Sequence, residues 1–164
     1  MRLPRWVPWV RDVLAGSPAV TEVQAFADAG ITDKPCGHVI RLRSGGSVAV
    51  QWVRTSASGG EDQSQPEEPV TGQPPEPVTL PELPASGRVA LTLVEEHLAA
   101  LIANGGNDEI RAVERTSRRP GESTKCGLNV HMHSGATVYG VFLHTAPAGT
   151  SLTSGGEFQQ REEV

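Results

Sequence analysis

Aromatic side chains are scarce in this chain, with three Trp, three Phe and one Tyr among 164 residues. At a hydrophobic fraction of 37%, those few rings must supply much of the bulky core. Cysteine is scarcer still: two residues exclude a disulfide scaffold and allow one bridge at most. No apolar run approaches the roughly 20 residues that a membrane-spanning helix requires. The opening MRLPRWVPWVRDVL lacks the apolar stretch and small-residue cleavage site of a signal peptide, so the expected compartment is the cytoplasm, with no membrane partner. Also missing are CxxC, HExxH, a phosphate-binding loop, a nucleophile elbow and a pair of carboxylates at one strand end. The sequence therefore predicts no metal, no cofactor and no enzymatic reaction.

What the chain does contain is an internal repeat. CGHVIRLRSGGSVAVQWVRTSASG, opening at Cys36, returns without a gap as CGLNVHMHSGATVYGVFLHTAPAG from Cys126, ninety residues later. Upstream, TEVQAF (Thr21 to Phe26) matches DEIRAV (Asp108 to Val113) at an offset of 87, which places three additional residues ahead of the second cysteine. Each match follows a helix candidate. Pro4 to Ala15 carries Trp6, Val10, Val13 and Leu14 at helical intervals, with Pro8 acceptable only in the first turn. In the second, Thr92 and Glu95 have the spacing of a capping box, Val94, Leu98, Leu101 and Ile102 recur helically, and Asn104, Gly105 and Gly106 stop the helix.

Each unit thus reads helix, strand, strand, strand. The expected fold is α+β: two tandem αβββ repeats, each a helix on a three-stranded antiparallel sheet, meeting in a pseudo-two-fold assembly that shares one core. Such sheets either join edge to edge into six strands or pack with their helices between them.

The hairpin inside each unit has a predicted register. A three-residue loop Ser44, Gly45, Gly46 sets Leu42 against Val48, Ile40 against Val50 and His38 against Trp52. Ser134, Gly135 and Ala136 do the same for Met132 and Val138, Val130 and Gly140, and Leu128 and Phe142.

Between the repeats, residues 56–88 hold seven of the thirteen prolines and no aromatic residue, with a net charge of -5. This composition reads as a semi-extended acidic linker of polyproline character. The domain boundaries are then 1–55 for the first repeat, 56–88 for the linker, 89–150 for the second repeat and 151–164 for a polar tail. The chain's overall charge is -5, while residues 1–55 carry +3, so the acidity belongs to the linker and tail.

Alternation puts Arg41, Arg43, Val39 and Gln51 on the hairpin face opposite the apolar one, and His131, His133, Asn129 and Tyr139 on its counterpart. Arg41, Arg43, Gln51, His131, His133 and Tyr139 are the candidate partner-binding residues; the same pattern also describes a solvated sheet face. His131 and His133 do not converge with Cys126 and His144, which fall on the apolar face as cross-strand neighbours. Both cysteines, Cys36 and Cys126, read as small buried hydrophobes. Arg115, Arg118, Arg119 and Lys125 form the strongest basic cluster and, with Arg41 and Arg43, the case for nucleic acid. A pI near 5.5 and an acidic linker able to compete for the same patch oppose it.

The resulting expectation is a non-catalytic protein-binding or assembly module built as a fused pseudo-dimer, with open sheet edges as a route to homo-oligomers. Richness in Ala, Gly, Val, Arg and Pro points to a GC-rich source and to an accessory or structural protein of a bacterium or phage. The alternative is a nucleic-acid-associated accessory protein.

Overall fold

A computed structural model describes residues 1–62, 64–119, 125–150, 152 and 159–164. The element order is α1 (Leu3–Ala15), β1 (Val20–Ala25), β2 (Gly37–Leu42), β3 (Ser47–Thr55), α2 (Leu91–Ala103), β4 (Ile110–Arg115), a 3-10 turn (Thr116–Arg118), β5 (Gly127–Met132) and β6 (Thr137–Ala146). The six strands form one antiparallel sheet in the order β1-β2-β3-β6-β5-β4.

Both helices contribute to one apolar cluster against one face of this sheet. Trp6, Val10 and Leu14 of α1 and Val94, Leu98 and Ile102 of α2 are buried with Ile40, Val50, Trp52, Leu128, Val130 and Phe142. The Trp6 ring meets Trp52 edge-on with centroids 5.5 Å apart, a preferred aromatic geometry. This core explains why α1 tolerates Pro8, which lies beyond the first turn of the helix. An interior proline costs about 3 kcal/mol, and complete burial of Trp6, Val10 and Leu14 offsets a loss of that order. Gly140 is required by the same packing: a Cβ there would stand 2.6 Å from the Trp52 ring.

The hairpin registers differ from expectation by two residues. Ile40 faces Val48 and His38 faces Val50; Val130 faces Val138 and Leu128 faces Gly140. The loops are therefore Arg43-Ser44-Gly45 and His133-Ser134-Gly135, closed by Leu42 N–H to Gly46 O at 2.8 Å and Met132 N–H to Ala136 O at 2.9 Å. The physical reason is the third loop position, which is left-handed: Gly45 (φ 92°) and Gly135 (φ 83°) fill it, whereas the expected loop would have put Ala136 there. A shift of two leaves the paired residues from His38 to Arg41 and from Leu128 to His131 on their predicted faces, while Arg43 and His133 move into the loops and the bulge in β6 takes His144 off the apolar face.

The upstream match also changes. Val20 faces Leu42, and Ile110, ninety positions on, faces Met132, ninety beyond Leu42. The spacing of 90 thus holds for β1 and β4, and the length difference lies in the helix-to-strand loop, 104–109 against 16–19, not before Cys126.

The capping box does not form. Ala90 is the N-cap of α2, without a side-chain cap, and Glu95 is a buried hub. Its carboxylate accepts from Gly127 N at 2.8 Å, Ser117 N at 3.1 Å, Arg115 Nε at 3.2 Å and the Ser117 hydroxyl. These donors bind Glu95 to β4, the 3-10 turn and β5, which outweighs a local cap because a buried carboxylate needs several donors.

Several described residues between 56 and 88 contact the body of the protein. Glu61 contacts Arg54 at 2.6 Å and Arg2 at 3.1 Å, and Glu67 contacts Arg5 at 3.3 Å. The acidic segment thus engages Arg2, Arg5 and Arg54. Further along, the Asn104 amide donates to Val78 O and accepts from Val78 N, both at 2.8 Å. Pro81 O receives His97 Nδ1 at 2.6 Å. At the far end of the chain, Val164 and Val89 exchange both backbone hydrogen bonds.

Candidate functional site

The sheet face away from the helices is where alternation sends the candidate binding residues. Arg41, Gln51, Asn129, His131 and Tyr139 all lie on it, as their registers require. Arg43 and His133 do not: both occupy hairpin loops, where Arg43 Nε donates to Pro18 O at 2.8 Å and His133 Nε2 lies 2.9 Å from Gln73 O. Arg41 pairs with Glu22 across the strands at 2.9 Å. The two arginines therefore form no joint basic patch.

A second small cluster covers part of this face. Phe26, Ile31, Val39 and Ala49 are buried together, with Leu143 and Leu152 packed against them. The Phe26 ring occupies the place a side chain on Gly37 would take, 2.2 Å from a Cβ there. Val39 is therefore core, not contact surface.

The middle of the sheet stays open. Val53 and Val141 are each 42% exposed, and Gln51 stands opposite Val141 while Tyr139 stands opposite Val53. Sequence reasoning named Gln51 and Tyr139 but missed the two valines; the alternation Ser47, Ala49, Gln51, Val53 was the signal for the first.

Across β6 from this patch lie Asn129 and His131. The Asn129 side chain is buried and its amide nitrogen has no hydrogen-bond partner among the described residues. His131 Nδ1 lies 3.2 Å from Thr137 Oγ1. Its Nε2 stands 3.3 Å from Glu114 Oε2, close enough for an ion pair but without hydrogen-bond alignment. His131, together with Arg119, holds the Glu114 carboxyl below its ordinary range.

The basic cluster is largely neutralised within the fold. Arg115 contacts Glu95 at 3.2 Å and Glu96 at 2.7 Å, Arg118 lies 3.9 Å from Glu96, and Arg119 lies 3.3 Å from Glu114. Lys125 borders a different cleft, beside Cys126 and Gln160. Residues 120–124, the middle of the predicted loop, lie outside the described residues.

The remaining reactive groups do not converge. Cys126 is buried, and burial with the nearby Glu95 carboxylate pushes its thiol up to about 11, against a smaller opposing effect of Arg115. Gly127 faces Val141 and a bulge falls at Leu143, so Cys126 and His144 are not cross-strand neighbours. His144 Nδ1 instead accepts from Gln159 N at 2.7 Å. Cys36 is exposed, contrary to its reading as a buried hydrophobe, because it sits in the turn entering β2 with φ 50°. Ser17 Oγ lies 2.8 Å from His97 Nε2, the geometry of an activated hydroxyl, yet both residues are buried. No group of three or more His, Cys, Asp or Glu among the described residues is placed to hold a metal ion, and no described helix is long and apolar enough to cross a membrane.

No family model matches the chain, and no curated protein sequence or solved structure matches it.

Proposed function

We propose that this chain is a fused duplication of an αβββ unit that acts as a non-catalytic protein-binding or assembly module through the uncovered face of its sheet. Support for duplication comes from the spacing of 90 that relates β1–β2 to β4–β5, and from a central seam in which Gln51 pairs with Val141, Trp52 with Gly140 and Val50 with Phe142. Exchanging the units maps these three pairs onto one another, as a two-fold interface demands, up to the bulge between Val50 and Ala49. Fusion joins two open sheet edges and gives two small helices one core.

The observation that carries the binding reading is the pair Val53 and Val141, aliphatic side chains at diagonal positions on the two central strands, each 42% exposed. Isolated exposed valines are ordinary on protein surfaces. Here they adjoin Tyr139 and Gln51 on a flat strand surface, the mixture of apolar contact and polar rim that protein interfaces use. The alternative, nucleic acid, is weakened by the carboxylates that pair with Arg41, Arg115, Arg118 and Arg119.

The test is affinity capture from native cells by the wild-type chain and by Val53→Asp/Val141→Asp, in lysate split into nuclease-treated and untreated halves. A protein retained after nuclease by the wild type and lost by the double variant supports this reading. Capture unaffected by the variant, or abolished by nuclease, contradicts it.

A further inference from the structure

The segment QPPEPVTLP, residues 73–81, is pinned to the body of the protein through its backbone while most of its side chains face solvent. His133 Nε2 lies 2.9 Å from Gln73 O, the Asn104 amide makes two hydrogen bonds of 2.8 Å with the backbone of Val78, and Pro81 O receives His97 Nδ1 at 2.6 Å. Just ahead, Gly72 N–H donates to Asp108 O at 2.8 Å. A Cβ on Gly72 would stand 2.5 Å from the His133 ring, so this close approach needs glycine. Pro74, Glu76, Pro77, Val78 and Thr79 are nonetheless exposed, Val78 to 49%.

Covalent structure extends the order between these anchors. Pro74, Pro75, Pro77 and Pro81 each have φ fixed by the ring at about -65°. Gln73, Pro74, Glu76 and Leu80 each precede a proline and are driven to extended backbone. Only Val78 and Thr79 escape both constraints, and Asn104 holds the first of them. Such a segment suits the polyproline II helix, in which residues three apart share one edge. Pro74 and Pro77 are three apart and both exposed, whereas Pro75 and Pro81 are half-buried, as expected of one edge turned outward and another toward the body. The charges divide similarly. Glu61 and Glu67 are taken up by Arg2, Arg5 and Arg54, while Glu68, Glu76 and Glu82 are exposed and have no ion-pair partner among the described residues.

We propose that residues 73–81 are a preformed docking ligand for a partner protein whose groove is lined by aromatic side chains and rimmed by Arg or Lys. The Pro74 and Pro77 rings seat among the aromatic rings, the mode by which Pro-rich segments are recognised, and Glu76 meets the basic rim. Anchoring by Asn104, His97 and His133 reduces the conformational entropy lost on binding. The segment shares no residue with the sheet-face patch.

The test places a photoreactive amino acid at Thr79 of the full chain in native-cell lysate and maps each adduct to the crosslinked partner residues by mass spectrometry. One protein adduct is expected, at a site containing Trp, Tyr or Phe together with Arg or Lys. It should be lost in Pro74→Ala/Pro77→Ala and in Glu76→Lys, and unchanged in Val53→Asp/Val141→Asp. As a competitor, a synthetic peptide of residues 72–82 should be needed at about tenfold higher concentration than the unlabelled full chain, and Asn104→Ala should shift the chain towards the peptide. Absence of a protein adduct, indifference to the proline or Glu76 substitutions, a crosslink mapped away from aromatic residues, or equal competition by chain and peptide would overturn the proposal.

Discussion

Gln51 pairs with Val141 across the central seam of the sheet, and the two positions are ninety residues apart in the chain. On the duplication proposed above, this pair lies on the local two-fold axis, and Trp52 and Phe142 become equivalent aromatics flanking it. Their equivalence has a visible imprint, since Trp52 overlies Gly140 while Phe142 faces Val50.

A fragment ending at Thr55 should therefore not give a folded monomer. It would leave the β3 edge unpaired and remove α2 from the core that α1 shares. Size-exclusion chromatography with light scattering should show a dimer or an unfolded chain; a stable folded monomer would count against duplication.

Glu95→Gln should destabilise the fold by about 3 kcal/mol, because it weakens a buried carboxylate that satisfies Arg115, Ser117 and Gly127 together. Glu96→Gln removes only a half-exposed partner of Arg115 and should cost less than about 1 kcal/mol. Urea denaturation of both variants measures the difference, and equal costs would remove Glu95 from its place as hub.

Stability should fall as pH drops from about 6.5 towards 4. His38 is buried, and its Nδ1 accepts from Trp52 Nε1 at 3.0 Å. Desolvation, aided by Arg11, lowers its pKa to about 4 from an ordinary 6.5. Below 6.5 the unfolded chain binds a proton that the folded chain refuses, so acid favours unfolding; the loss amounts to about 3 kcal/mol once pH reaches the folded value. His38→Gln should flatten this part of the stability profile. An unchanged slope in that variant would assign it to other groups.

The two thiols should differ in reactivity. Cys36 is exposed, whereas Cys126 is buried and its thiol is pushed up to about 11. At neutral pH a thiol reagent should modify one cysteine in the native chain and both after unfolding, with peptide mass mapping to identify the first as Cys36.

Much of the sheet was legible in the residues. Alternation along His38 to Leu42 and Val48 to Trp52 assigned the buried face correctly, even though the pairing register was off by two, because side-chain direction has period two. The register itself depends on which glycine takes the left-handed position, and SGG offers two; only the second hairpin, with SGA, contained the deciding information. The fate of the charges was less legible. Glu95 has the spacing of a cap, and nothing local indicates that Ser117 and Gly127 will converge on it from other elements. Arg41 and Arg115 read as free cations because their carboxylate partners come from a neighbouring strand and from α2. Val53 and Val141 escaped notice for the opposite reason: apolar residues at strand positions are assumed buried, and their exposure depends on the helices covering one face alone.

The most direct measurement is photo-crosslinking in native cells with a photoreactive amino acid at Val53, and a control at Val70, which is similarly exposed at 46% but lies in the proline-rich segment. The account predicts a discrete protein adduct from position 53 that is absent from position 70 and persists after nuclease treatment. Identical adducts from both positions, none from position 53, or a product that nuclease removes would contradict it.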